Sequence, residues 1–280
     1  MGRLLLAFAL VLASAPSARA GVVLLGSERS ADDKVALDAA RQTAPAFSFA
    51  DEDSADAAEQ LRHADVILAV GARALAMART VAPETPLVYA MVPAADVQAG
   101  KSVTGVALEV PAYAELAQWK QLRWDGVRVG VVQEKGAPVA GTNKAAAALG
   151  VTLTTRVVDG PAHVGAAVDE LAPKVDAVWI TTALPQAAAA KWRGRVALLG
   201  GNESATAVGA LFSLAPDAAD IGRRAARLAL GIAGRAPAAR LPMPPPETSP
   251  GALTLNAAAA TALGIELPDP IVKKARKVYH

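Results

Sequence analysis

Short apolar runs alternate with longer stretches in which apolar residues recur at helical spacing. The most complete unit is Asp65–Thr80: the run Val66-Ile67-Leu68-Ala69-Val70, then Gly71, then Ala72–Thr80. An unbroken apolar run of this length suits a strand buried on both faces, as in a parallel sheet. Glycine at the turn admits backbone angles closed to other residues and lets a ligand come close to the main chain. The helix that follows directs its free N–H groups, and the positive end of its dipole, out of the sheet's carboxyl edge. That is a generic receptor for an anion or carboxylate. A second copy, Asp176-Ala177-Val178-Trp179-Ile180-Thr181-Thr182 with an Ala-rich segment behind it, lies downstream. The two copies are expected to face each other across a cleft.

The remaining elements repeat this plan. Strands are expected at Val22–Leu25, Ala46–Phe49, Pro86–Met91 and Thr104–Val106, with helices at Ala31–Gln42 and ending near Arg62. The pattern restarts with strands at Val127–Val132, Thr152–Val157 and Val196–Leu199 and helices at Thr142–Leu149 and His163–Leu171. Pro216–Gly231 reads as an amphipathic helix, and the proline-rich 236–250 as an extended connector, since proline suits neither a helix interior nor a central strand. Leu253–Asn256 reads as a strand, with helices at Ala257–Leu263 and Pro270–Val278; the cations of the last form a solvated face near its C-terminus. Alternating strands and helices imply parallel sheets with right-handed crossovers. Two such series in tandem make a bilobal α/β protein, and ligands in such sheets bind outside the carboxyl ends of the strands.

Composition narrows the function classes. Arg3, the apolar Leu4–Ala13 and the small-x-small Ala18-Arg19-Ala20 predict a secretory signal peptide over residues 1–20, with the mature chain starting near Gly21. The apolar run is far short of the ~20 residues of a membrane span. The 280-residue chain has no cysteine, so disulfides, thiol catalysis, cysteine-bound metal and a lipid-anchored cysteine are all excluded. At ~100–200 residues per domain, the remaining length favours two domains. A formal net charge of +2, with no basic stripe interleaved with aromatics, argues against a nucleic-acid partner. Three isolated histidines give no metal-ligand spacing. The chain has no Gly-x-Ser-x-Gly elbow and no phosphate loop. No catalytic residue, metal or cofactor is therefore expected, and a binding protein is favoured over an enzyme.

Several stretches resemble the substrate-binding proteins of ABC importers, in the branch typified by binders of tryptophan and related aromatic amino acids. They are the Gly71 turn, Thr85–Tyr89, Thr104-Gly105-Val106, Val127–Val132, Gly209–Leu214 with Asp220–Ala226, and Leu255-Asn256 with Thr261–Pro268. The resemblance implies a type I periplasmic binding protein fold: two Rossmann-like lobes with parallel sheets, joined by a three-segment hinge. The crossings map near Val106–Pro111, Phe212–Leu214 and Ala252–Leu255. Lobe one is then 21–107 plus 214–249, and lobe two 108–213 plus 250–280. It also implies a periplasmic, monomeric protein that hands a small polar or aromatic solute to an inner-membrane ABC permease, with no stable membrane insertion. Where the family usually carries Gly-Thr or Gly-Ser at the central turn, this chain has Gly71-Ala72. Where it carries Asp-Pro after a lobe-one strand, this chain has Val92-Pro93, and its lobe-two Thr-Asp is Thr181-Thr182.

The expected ligand-binding residues are therefore Ser27, Glu28, Gly71, Ala72 and Arg73 from lobe one, and Thr181 and Thr182 from lobe two. Glu28, Glu134 or Glu203 stands in for the missing carboxylate. Trp179 and Tyr89, inside strands, are expected to pack in the core, as are Trp119, Trp124 and Trp192. The missing hydroxyl and carboxylate motivate one alternative: a divergent binding fold serving as a sensor or accessory subunit for a protein partner.

Overall fold

The computed structural model describes residues 21–97, 100–136, 141–235 and 243–280. The expected signal peptide, and the first part of the proline-rich connector, lie outside the described residues. The first sheet takes β1 (Val22–Gly26), β2 (Ser48–Asp51), β3 (Val66–Val70), β4 (Leu87–Val92) and β5 (Val103–Ala107), joined late in the chain by β11 (Glu247–Thr248). Its order is β11-β5-β4-β3-β1-β2, and every pairing is parallel. The second sheet comprises β6 (Arg128–Glu134), β7 (Thr152–Val158), β8 (Ala177–Ile180), β9 (Ala197–Gly200), β10 (Phe212–Ala215), β12 (Ala252–Asn256) and β13 (Lys277–Tyr279). Its order is β13-β12-β10-β9-β8-β6-β7; only the β10–β12 pair is antiparallel.

Helices cover both faces of each sheet, which is why β1, β3, β8 and β9 are buried at every position. On the first sheet, α1 (Ala31–Thr43) and α9 (Ala218–Ala233) cover one face, and α2 (Ala57–Arg62) and α3 (Ala72–Val81) the other. On the second, α4 (Ala112–Leu122), α5 (Thr142–Leu149), α10 (Ala257–Ala262) and α11 (Asp269–Lys274) share one core. The opposite core holds α6 (Val164–Leu171), α7 (Gln186–Trp192) and α8 (Glu203–Val208). These helix starts are marked in the sequence: Ser30, Asn202, Asp217 and Asn256 each accept a hydrogen bond from the N–H three residues on. The α1–α9 seam is closed by small residues. A Cβ added at Gly222 would stand 2.2 Å from the Ala36 carbonyl oxygen, so only glycine lets the helices approach this closely.

The paired Asp units occupy matching places. The Asp65 carboxylate, ahead of β3, accepts the N–H of Gly21 at the start of β1 (2.6 Å). The Asp176 carboxylate, ahead of β8, accepts the N–H groups of Val127 and Arg128 at the start of β6 (3.0 and 2.8 Å). Each aspartate thus ties two neighbouring parallel strands together at the amino edge.

Some expectations are corrected. The helix expected over Pro270–Val278 stops at Lys274, because Arg276 N–H donates to Leu253 O and Lys277–Tyr279 pair with Thr254–Asn256 as an edge strand. The helix α4 was not anticipated, although Leu116, Trp119 and Leu122 mark its buried side. Trp119 and Trp179 are buried as expected, but Trp124 is 83% exposed, standing in the turn between α4 and β6.

Between the sheets the chain crosses three times: from β5 to α4 (108–111), from β10 to α9 (216–217) and from β11 to β12 (249–251). The three crossings touch. A Cβ on Gly251, whose φ is +81°, would lie 2.8 Å from Val110 Cγ2 in the first crossing and 2.9 Å from the carbonyl oxygen of Ala215, the last residue of β10, from which the second crossing leaves.

Candidate functional site

The first two crossings leave from the carboxyl ends of β5 and β10, so both sheets turn their carboxyl edges toward the same junction. The loops on those edges carry the expected site residues, and the two halves treat them differently.

On the first sheet, Ser27 follows β1 and donates its hydroxyl to Glu52 Oε1, just beyond β2 (2.8 Å). Glu52 is the centre of a charged lattice. Its side chain is only 4% exposed, yet it receives Arg29 Nε (3.2 Å) and approaches Arg73 Nε (3.7 Å). Asp53 completes the lattice: Arg29 Nη2 reaches both its oxygens (2.7 and 2.6 Å), and Arg73 Nη2 reaches Oδ1 (3.1 Å). The Arg29 hydrogen bond, with the nearby Arg73 charge, holds the Asp53 carboxyl below its ordinary pKa. Two guanidinium groups, each more than half exposed, are thereby held at the edge by carboxylates behind them. Arginine's planar fork suits such a task, since it retains donors for a second anion.

Gly71 lies beside this lattice with φ +94°, and its N–H donates to Ala90 O (2.9 Å). No side chain caps α3, so Ala72 and Arg73 begin that helix with no capping group over their N–H groups. The β4 end is irregular: Met91 has φ +59° at a register shift between Ala90 and Val92. Positive φ outside glycine is uncommon and marks stored backbone strain. The turn behind it is stitched to the first crossing. Leu108 N–H donates to Val92 O (3.2 Å), and Ala94 N–H donates to Glu109 Oε1 (2.8 Å).

The second edge is less charged. Thr182 Oγ1 donates to Glu134 Oε2 (3.0 Å), joining the ends of β8 and β6. Thr181 turns its hydroxyl to Val132 O (3.3 Å). Gly200 and Gly201 close β9 with φ of +74° and +80°, and a Cβ at Gly200 would meet Ile180 O at 2.6 Å.

The structure brings Ser27, Gly71, Ala72 and Arg73 to one edge, and Glu134, Thr181 and Thr182 to the other. Two expected carboxylates are engaged elsewhere. Glu28 binds Lys34 (2.6 Å) and Arg41 (3.3 Å), and hydrogen bonds from these two, Lys34 first, lower its pKa. Glu203 receives Arg276, just ahead of the C-terminal strand, and Lys277 and Tyr279 within it, with Lys277 the main cause of its lowered pKa. Sequence reasoning missed Arg29, Glu52 and Asp53 as partners of Arg73, and missed Glu109. A signal existed for the first three, since Arg29 and Glu52-Asp53 directly follow two adjacent strands. Glu109 is the lone charged residue between Val103 and Pro111.

Two mostly parallel sheets with helices on both faces, with the chain crossing between them three times, define a bilobal fold of the type I periplasmic binding protein class. The family model described as "ABC transporter substrate binding protein" matches residues 46–279, and the chain belongs to that family. Solved structures agree in fold. A ligand-free, open substrate-binding protein with adhesive properties from Clostridium difficile is 14% identical, with a TM-score of 0.64, covering 92% of this chain and 99% of its own. A protein from Streptococcus pneumonia solved in complex with L-Trp is 17% identical, with a TM-score of 0.52 and coverage of 93% and 99%. A periplasmic ribose ABC transporter protein from Conexibacter woesei is 14% identical, with a TM-score of 0.54 and coverage of 85% and 93%. No curated protein sequence matches the chain. Among the described residues no helix is long and apolar enough to cross a membrane, and no group of three His, Cys, Asp or Glu is placed to hold a metal ion.

Proposed function

We propose that this protein is a periplasmic solute receptor, exported by cleavage after residue 20, that closes its two lobes over a small amino-acid-like solute. It then delivers the solute to an inner-membrane ABC permease. The observation that carries this reading is the opposition of two carboxyl edges around three touching crossings. Closure about such a junction buries whatever lies between the edges, with 108–111, 216–217 and 249–251 absorbing the rotation. On this reading lobe one comprises the first sheet and its helices, and lobe two the second. Ser27, Gly71, Ala72 and Arg73 meet the solute from one side, and Glu134, Thr181 and Thr182 from the other. Glu28 and Glu203 keep to the rim.

Anion recognition is favoured on the lobe-one side, where the uncapped start of α3 adjoins Arg73. The L-Trp complex of the Streptococcus pneumonia protein is consistent with an amino-acid-like solute. Binding without catalysis is the expected outcome, and the protein acts as a monomer. Thermal unfolding of the purified protein tests this against a panel of amino acids, pentoses, polyols and small carboxylates. A ligand present at 100 times its Kd stabilises the folded state by about 2.7 kcal/mol, a clear rise in Tm. A flat response across the panel sinks the reading and leaves the partner-binding alternative.

A further inference from the structure

A large apolar side chain at the surface is informative when the fold holds it out and other exposed groups gather around it. Trp124, 83% exposed in the turn between α4 and β6, is the most exposed large apolar side chain among the described residues. The turn that carries it is tightly pinned. Arg123 N–H donates to Trp119 O (2.8 Å), and Gly126 N–H donates to Arg123 O (3.1 Å). The buried Trp119 indole N–H donates to Gly126 O (3.1 Å), and Lys120 Nζ donates to Trp124 O. A Cβ on Gly126 would meet the Trp119 ring at 2.5 Å, so the turn packs directly on that ring. Val127, 42% exposed, adds apolar surface three residues on.

Cations flank this turn. The registers set Val129, Ala177 and Ala197 side by side on β6, β8 and β9, and each strand begins at or just behind a cation: Arg128, Lys174 and Arg195. Neighbouring strands lie ~4.8 Å apart, so these positions form one row along the amino edge. The acids there are matched one for one. Asp125 pairs with Arg123 (3.0 Å) and Asp176 with Arg128 (2.7 Å). Farther back, Asp169 takes Lys191 (2.8 Å), and Glu170 takes Arg156. Lys174 reaches only Glu170, at 3.9 Å, while Lys120, Arg193 and Arg195 pair with no acid among the described residues. The row therefore carries a positive excess. The first sheet lacks it, since β3 and β4 are entered there behind Asp65 and Glu84.

We propose that the amino edge of the second sheet is a docking face for an anionic phospholipid surface, with Trp124 as its apolar anchor and Lys120, Lys174, Arg193 and Arg195 binding headgroup phosphates. Indole is an interfacial side chain, apolar in its body and polar at its N–H. Cations near an anionic leaflet add their attraction to that of the apolar area buried. A single exposed ring among cations needs no complementary pocket in a fluid headgroup layer, which favours a bilayer over a folded acidic partner. The chain has no cysteine that could carry a lipid, so attachment of this kind is reversible and left to side chains. The face lies at the opposite strand ends from Glu134, Thr181 and Thr182, so docking leaves the carboxyl edges free. It does not depend on the solute reading.

The test is co-sedimentation of the purified protein with vesicles of phosphatidylcholine alone and of phosphatidylcholine mixed with phosphatidylglycerol, read also by tryptophan emission. The expected result is uptake by the mixed vesicles only, with a blue shift in emission, and release as salt rises and screens the surface charge. Trp124→Ala should weaken partitioning about tenfold and abolish the blue shift. Lys174→Gln combined with Arg195→Gln should weaken it about five-fold for each charge removed. All these side chains are exposed, so the variants should share the wild-type Tm. Arg62→Gln, on the first sheet's amino side, should bind vesicles as wild type does. Three results overturn the proposal: equal uptake by both vesicle types, unchanged binding of Trp124→Ala, or no uptake by the mixed vesicles at low salt. In the last case, an emission shift of Trp124 on adding soluble poly-L-glutamate would assign the face to an acidic protein instead.

Discussion

The two carboxyl edges are built on the same plan and put charge to opposite uses. On the first, Glu52 and Asp53 pair with Arg29 and Arg73, whose side chains stay more than half exposed, so charge is displayed at that edge. On the second, the neutral hydroxyls of Thr182 and Thr181 donate to Glu134 and to Val132 O, and the half's most perturbed acid, Glu115, is buried in α4. The amino edges, by contrast, match: Asp65 and Asp176 do the same work in the same places. The two halves thus share their amino-edge ties and differ in the side chains that their carboxyl edges present.

The comparison is tested most strongly through Glu115. Its folded pKa of about 8 lies above the ordinary 4.5, so the folded state holds the proton more tightly than the unfolded one. Its contribution is full below about pH 4.5 and is lost as pH rises toward 8, because unfolding then releases a proton. Glu115→Gln should therefore match wild type near pH 4.5 and exceed it by a few kcal/mol at pH 8 and above, the gap staying constant thereafter. Denaturant titrations at pH 5, 7 and 9 measure it. A gap independent of pH would mean that the hidden acid is not hidden.

Next in size is Gly251→Ala, which places a methyl group against two other crossings at a φ unfavourable to L-residues. We expect a loss of about 3 kcal/mol, from crowding and backbone strain together, read as a lower denaturation midpoint. Glu52→Ala should cost about 2 kcal/mol, since it strips a buried carboxylate from Ser27, Arg29 and Arg73. Glu134→Ala, its counterpart on the second edge, should cost less than about 1 kcal/mol. Equal losses would erase the distinction between the edges. The smallest effect is Glu28→Ala, where an exposed carboxylate leaves the exposed Lys34 and the partly exposed Arg41; Tm should stay within about 1 °C.

Much of the scaffold was legible because its signals are local. The apolar runs at Val66–Val70 and Ala177–Ile180 read as doubly buried strands, whereas the caps Ser30, Asp217 and Asn256 went unread, and the helix expected from Pro216 begins at Ala218. The edge strand β13 was not legible, because Lys277-Val278-Tyr279 has no strand pattern until β12 offers it an open edge. The site was read in part. Gly71 and Arg73 follow from strand–turn–helix logic. The engagement of Glu28 by Lys34 and Arg41 depends on side-chain reach across a loop and a helix face, and that of Glu203 on a strand 73 or more residues away. Glu109 escaped notice since its meaning lies in one oxygen bonded to a neighbouring turn and the other left bare.

The seam between α1 and α9 has a consequence for how a newly made chain reaches this shape. Ala36, Leu37 and Ala40 are covered by a helix that begins at Ala218, so the first half stays open-sided until most of the polypeptide has been synthesised. An N-terminal fragment ending before that helix would expose a greasy flank and invite association with itself or with a holding chaperone. Late completion keeps the chain pliable for longest during its biogenesis, and it makes truncation anywhere before residue 233 a failure of both halves at once.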